Sequence, residues 1–230
     1  VKISTSSLIR GAAGAAVLAG ILYIAIQFIH PADVVASLTT QRWQIVHVIS
    51  FAEAVLALIG ITGIYLRQVP RFKVLGFVAY SMFGLFFVLQ ASFNFFEALI
   101  APLIAVKAPQ LAVDIVGLFG RVAPVSDLGV LGALPIVGSL LYVGGALLFG
   151  VAIIRARVLS RGAGILMIAA AIVTPVAGAL LPHTLERMAA LPMGAALAWL
   201  GYSLWATMRG TSAKTQVTLD KADRDLTSAV

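Results

Sequence analysis

The chain contains no cysteine. Disulfides, thiolate metal sites and thiol nucleophiles are therefore excluded, and the redox compartment is left open. Charge is also scarce: 11% of the 230 residues are charged and 61% are hydrophobic, whereas a soluble domain is about a quarter charged and about half apolar. Signature motifs are missing too. There is no HExxH, no phosphate-loop lysine, no GxSxG elbow and no dinucleotide fingerprint, and Gly11-Ala12-Ala13-Gly14 reads as a helix-packing run. No lysine lies inside a long apolar run, which argues against a retinal Schiff base, and no arginine series suggests a voltage sensor.

What the chain has instead is apolar length. Its mean hydropathy is +1.04. A soluble fold of this size cannot hide so much apolar surface, so lipid is the expected solvent. Six runs reach the roughly 20 residues a bilayer core needs: 8–29, 43–66, 74–101, 128–154, 162–181 and 191–208. Backbone groups in lipid must be satisfied within the segment, and no half-length alternation points to a β-barrel, so the expected fold is all-α: a bundle of six transmembrane helices in a single domain, 1–208. The first run ends at Gln27-Phe28-Ile29-His30-Pro31 without a small-x-small cleavage site, so it is read as a retained helix.

The basic residues orient the bundle. With the N-terminus inside, only Arg42, Lys107, Arg121 and Arg187 of the 16 Lys and Arg fall outside. Positive charge collects on the cytoplasmic side, so both termini are expected there, in a cell membrane, plasma or bacterial inner. The net charge of +7 is then topogenic, and no nucleic-acid partner is implied. The segment 209–230 is polar and mixed in charge, and is expected as a flexible or loosely helical cytoplasmic tail. Between the third and fourth runs, Pro109 to Phe119 puts Gln110 and Asp114 on one face, which predicts a short interfacial helix, either a connector or a lid over the bundle.

Two further patterns concern packing. A shift of 90 residues lays Gly60, Arg67 and Arg71 on Gly150, Arg157 and Arg161, the trace of a parallel repeat. Small residues recur at helical spacing, as in Ala12, Ala16 and Gly20; they let helices approach closely, within the chain or across a homo- or hetero-oligomer. Pro135 and Pro175 are expected to bend the fourth and fifth helices, with Thr174 helping to satisfy the freed backbone.

Chemistry is confined to polar residues within the apolar runs. His47, Ser50 and Glu53 form a stripe on the second run; Gln90, Asn94 and Glu97 share a face of the third; His183 sits at the end of the fifth. All lie toward the outer side. Glu53 is deepest, and an ionised carboxylate there costs several kcal/mol. It is expected neutral, paired or watered, which makes it a candidate for proton exchange, with Gln90 and Asn94 as partners. Glu97, nearer the interface, is expected to be solvated. The cluster either glues helices together or lines an outer pocket for a small molecule or a lipid. No catalytic residue, metal or cofactor is assigned. Three functions fit: a transporter-like or ligand-binding bundle, an intramembrane enzyme acting on a lipid or isoprenoid, and an accessory subunit of a larger complex. The first, non-enzymatic reading is preferred.

Overall fold

The computed structural model describes the backbone of residues 4–119 and 123–227, and their side chains except at 119, 183, 184 and 210–227. Every long element is a helix: α1 (Thr5–Ile29), α2 (Val35–Leu38), α3 (Gln41–Phe95), α4 (Ala101–Lys107), α5 (Pro109–Val116), α6 (Leu134–Ala156), α7 (Arg161–Leu180), α8 (His183–Glu186) and α9 (Leu191–Thr227). Side-chain caps start three of them. The hydroxyls of Ser4, Thr40 and Ser160 accept the N–H groups of Ser7, Trp43 and Ala163, donors that no helical partner reaches.

The long element α3 is a hairpin. Lys73 has φ 52° and ψ −152°, three residues after Pro70 removes a ladder hydrogen bond. The chain reverses there into a first arm (41–72) and a second arm (74–95). Tyr65 stacks on Tyr80 at 4.5 Å, and Thr62 and Tyr80 share a hydroxyl hydrogen bond of 3.0 Å. The other basic turn closes on Arg157, left-handed at φ 56°. The two turns do not match across the 90-residue shift: the counterpart of Arg157 is Arg67, which lies within the first arm of α3.

Glycines set the order of packing. Gly60 and Gly63 of the first arm rest on Ala16 and Ala12 of α1, Gly145 of α6 on Phe83 of the second arm, Gly150 of α6 on Gly164 of α7, Gly162 of α7 on Trp199 of α9, and Gly194 and Gly201 of α9 on α1. A Cβ at Gly60 or Gly145 would come within 2.7 Å or 2.6 Å of its neighbour's backbone, so only glycine permits these approaches. The segments thus close a ring: α1, first arm, second arm, α6, α7, α9 and back to α1. The Ala12–Ala16–Gly20 stripe is filled inside this ring. Alanines, phenylalanines and methionines such as Ala57, Phe83, Phe149, Met167 and Met193 fill the centre. Large apolar side chains cover the outside, among them Leu18, Phe77, Leu85, Leu140 and Ile165. Apolar on both faces and long, five helical stretches among the described residues are able to cross a membrane by length and composition, the α3 hairpin with its extension to Lys107 counting as one.

Three details depart from the sequence expectation. Pro135 does not bend α6, because it sits in the first turn, where a missing N–H costs nothing. The third apolar run does not stop at residue 101. It passes through a π-helical turn, Phe96–Ile100, into α4. Thr174 bonds the carbonyl of Ala170 at 2.9 Å, whereas the carbonyl freed by Pro175 is that of Ala171. The short helix at Pro109 is present as α5, folded on α2 and α4 over a second apolar cluster of Leu38, Trp43, Ala101, Ala105, Ala112 and Val116. Its Asp114 accepts hydrogen bonds from Gln110 Nε2 at 2.8 Å and from the Ser126 N–H at 2.7 Å. Bonds from Ser126, chiefly its hydroxyl, and from Gln110 hold the Asp114 carboxyl down at about 2. Arg121 lies outside the described residues.

Candidate functional site

The polar residues gather at one end of the ring, opposite Lys73, in two tiers. The upper tier begins with Trp43. The π-helical turn sends the Ala101 N–H to the carbonyl of Phe96, and the next residue, Pro102, has no N–H to offer. The Glu97 carbonyl is left without a helical donor, and the Trp43 indole supplies one at 2.8 Å. A residue from the start of the first arm is thereby locked to the end of the second. His47, one turn further along, stacks on Trp43 at 4.1 Å. Its Nδ1 lies 2.8 Å from the Trp43 carbonyl. A carbonyl only accepts, so Nδ1 carries a proton, and Nε2 faces Glu97 Oε2 at 3.4 Å. Glu97 is therefore buried against a histidine rather than solvated, because α2, α4 and α5 cover this end.

His30 follows α1 and lies edge-on to His47, ring centroids 4.9 Å apart. Its Nδ1 donates to the Pro31 carbonyl at 2.7 Å. Burial and the nearby Arg187 guanidinium lower its pKa from 6.5 to about 4. Arg187, between α8 and α9, donates to Asp33 at 2.7 Å, which ties the loop after α1 to the loop before α9. Arg42 closes this end by donating to the Ile29 carbonyl at 3.2 and 3.0 Å, a cation at the C-terminus of α1.

The lower tier is built around Glu53, which is fully buried. Its Oε2 accepts from Gln90 Nε2 at 2.9 Å, across the two arms of α3. Its Oε1 and the Gln90 Oε1 are buried without a hydrogen-bond partner. Gln90 forms part of the wall of a cavity of about 280 Å³ between α1, the second arm, α6 and α7, lined also by Tyr23, Phe86, Phe93, Asn94, Ser139, Tyr142 and Thr174. Tyr23 is within electrostatic reach of both Glu53 and Tyr142. Tyr142 and Thr174 share a hydroxyl hydrogen bond of 3.1 Å.

The residues singled out in the sequence divide accordingly. His47 and Glu97 meet in the upper tier, Glu53 and Gln90 in the lower. Asn94 is on the cavity wall, but its amide donates to the Gln90 carbonyl at 2.8 Å rather than to Glu53. The Ser50 hydroxyl is committed to the Val46 carbonyl at 2.9 Å. The His183 side chain lies outside the described residues, its backbone opening α8. No group of three or more metal-ligating side chains occurs among the described residues. Tyr23 and Tyr142 went unnoticed in the sequence because tyrosines in an apolar run look like any other large side chain. The role of Trp43 had a local signal: a proline five residues after Glu97. Comparison with models of known families, with curated proteins and with solved structures returns no match.

Proposed function

We propose that the chain is a six-crossing protein of a cell membrane, plasma or bacterial inner, with both termini cytoplasmic and the histidine end outside. In this reading it binds a small molecule or a lipid group in the cavity beside Glu53, as a transporter-like or ligand-binding bundle. One observation carries it. A fully buried carboxyl with an unpartnered oxygen stands one hydrogen bond behind the wall of a cavity. A buried polar atom without a partner costs about 1–3 kcal/mol, and an ionisable side chain inside a membrane points by default to a ligand or proton site. Binding is preferred to acid–base catalysis because His47 is not on the cavity wall and the Ser50 hydroxyl is already engaged. It is preferred to an accessory role because the small-residue stripe of α1 is filled within the chain.

Native mass spectrometry in mild detergent tests the reading. The wild-type protein is expected to carry a bound non-protein mass. Gly138→Leu, which fills the cavity, is expected to lose it while keeping its folded charge-state distribution. A wild-type protein that flies bare, or a folded Gly138→Leu variant that retains the same mass, would refute it.

A further inference from the structure

We infer that the cavity takes a small organic ammonium ion, an amine with a single-ring or similarly sized apolar body, in exchange for the proton on Glu53. This rests on the reading of the cavity as a binding site and names its ligand class.

The donors and acceptors of the wall point that way. The Thr174 hydroxyl has one proton and faces two carbonyls that only accept, those of Ala170 and Ala189; with that proton on either, Tyr142 is the donor in the bond between the two hydroxyls. What remains of Tyr142 for a ligand is an oxygen lone pair. Asn94 spends an N–H on the Gln90 carbonyl, and Gln90 spends one on Glu53. Two side-chain atoms are left buried without a partner here, Glu53 Oε1 and Gln90 Oε1; Gln90 Oε1 is an acceptor, and Glu53 Oε1 becomes one once the carboxyl has lost its proton. Orphaned acceptors of this kind are completed by a ligand that brings N–H groups.

Charge and shape agree. Among the described residues no lysine, arginine or histidine lines the cavity, so none of them would pair a desolvated anion there. Glu53 is the acid behind the wall, and in so dry a place its charge acts over a long reach. The rings of Tyr23, Phe86, Phe93 and Tyr142 stand around the space, and aromatic faces attract ammonium groups. A volume of about 280 Å³ is just below the range that holds drug-sized ligands. Among the described residues, the titratable groups near Glu53 are Tyr23 on α1, Tyr142 on α6 and, two turns along its own helix, His47 with Glu97 of the π-helical turn.

The exchange is a proton transfer and nothing more. The O–H bond of the neutral Glu53 carboxyl breaks and its proton leaves to water. The carboxylate keeps the electron pair and pairs with the incoming ammonium, which keeps its own protons. The buried site stays neutral in both states, which avoids the cost of an uncompensated charge in the membrane interior.

Titration calorimetry on the purified protein, in an uncharged detergent and in buffers of different ionisation enthalpy, tests the inference with phenethylammonium and with 2-phenylethanol, its uncharged counterpart. The ammonium is expected to bind at least tenfold more tightly than the alcohol and to release one proton. Its affinity is expected to rise by up to tenfold per pH unit while Glu53 is neutral in the free protein. Glu53→Gln is expected to bind the ammonium at least tenfold more weakly and to release no proton. Should that variant fail to fold, the proton count and pH slope of the wild type decide alone. Equal affinity for the alcohol, or ammonium binding with no proton released, overturns the ammonium class. In that case alcohol binding that is lost in Gly138→Leu still leaves the cavity a binding site. If neither compound binds, the inference falls, and the bound mass in the native spectrum judges the cavity separately.

Discussion

Trp43 does two jobs that hydropathy cannot describe. Its ring supports His47, and its indole N–H occupies a carbonyl orphaned by a π-helical turn followed by proline. Trp43→Phe keeps the ring and removes the donor, leaving the Glu97 carbonyl buried and unpaired. The expected loss is about 1–3 kcal/mol, read as a lower thermal midpoint in detergent; an unchanged midpoint would mean that water replaces the indole. His30 adds a pH dependence. Its folded pKa of about 4 lies below its usual 6.5, so below 6.5 the unfolded chain binds a proton that the fold resists. The associated stability is present above pH 6.5 and is lost as pH falls toward about 4. His30→Gln is expected to flatten the thermal midpoint across that window by the equivalent of one proton. If the variant and the wild type keep the same slope, the dependence belongs to another group. The polar stripes of His47, Glu53, Gln90 and Glu97 were legible from residue spacing. The partner of each was not, because spacing along one helix says nothing of what the next helix presents.

At the scale of elements, α1 shows how small residues divide between contact and solvent. Gly20 meets Gly194 and Ala198 of α9, whereas Gly11 and Gly14 have nothing within 4 Å of an added Cβ. Gly20→Ala is expected to destabilise the bundle by about 1–3 kcal/mol through overpacking. Gly14→Ala, on the exposed side of the same helix, is expected to be neutral or to stabilise by up to about 1 kcal/mol through helix propensity. Thermal unfolding of the two variants side by side checks this; a larger loss at Gly14 would place the wrong face of α1 inside. The fold of α3 into a hairpin was anticipated by the basic turn at Arg67, Arg71 and Lys73. Its extension through the π-helical turn into α4 was not, since Pro102 reads as a stop when only local rules are applied.

For the whole molecule, the ring of helices presents an apolar exterior and concentrates polarity at one end. The proposed sidedness is open to a direct test, because the native chain has no cysteine and a single introduced thiol reports its own surroundings. In sealed cells, Val125→Cys, 83% exposed at the histidine end, is expected to react with a membrane-impermeant maleimide. Thr5→Cys, at the opposite end of α1, is expected to react only after permeabilisation. The reverse pattern would invert the topology and move the cavity to the cytoplasmic side. The sequence by itself determined the helical class, the apolar segments and their basic turns, because hydrophobic length and charge are local properties that any one segment carries alone. The tertiary structure decided the rest: which small residues touch, that α9 closes the ring on α1, that Glu97 is buried beside His47, and that Tyr23, Gln90, Tyr142 and Thr174 surround one cavity. Those facts depend on distances between segments far apart in the chain, and packing between helices, not composition within them, sets such distances.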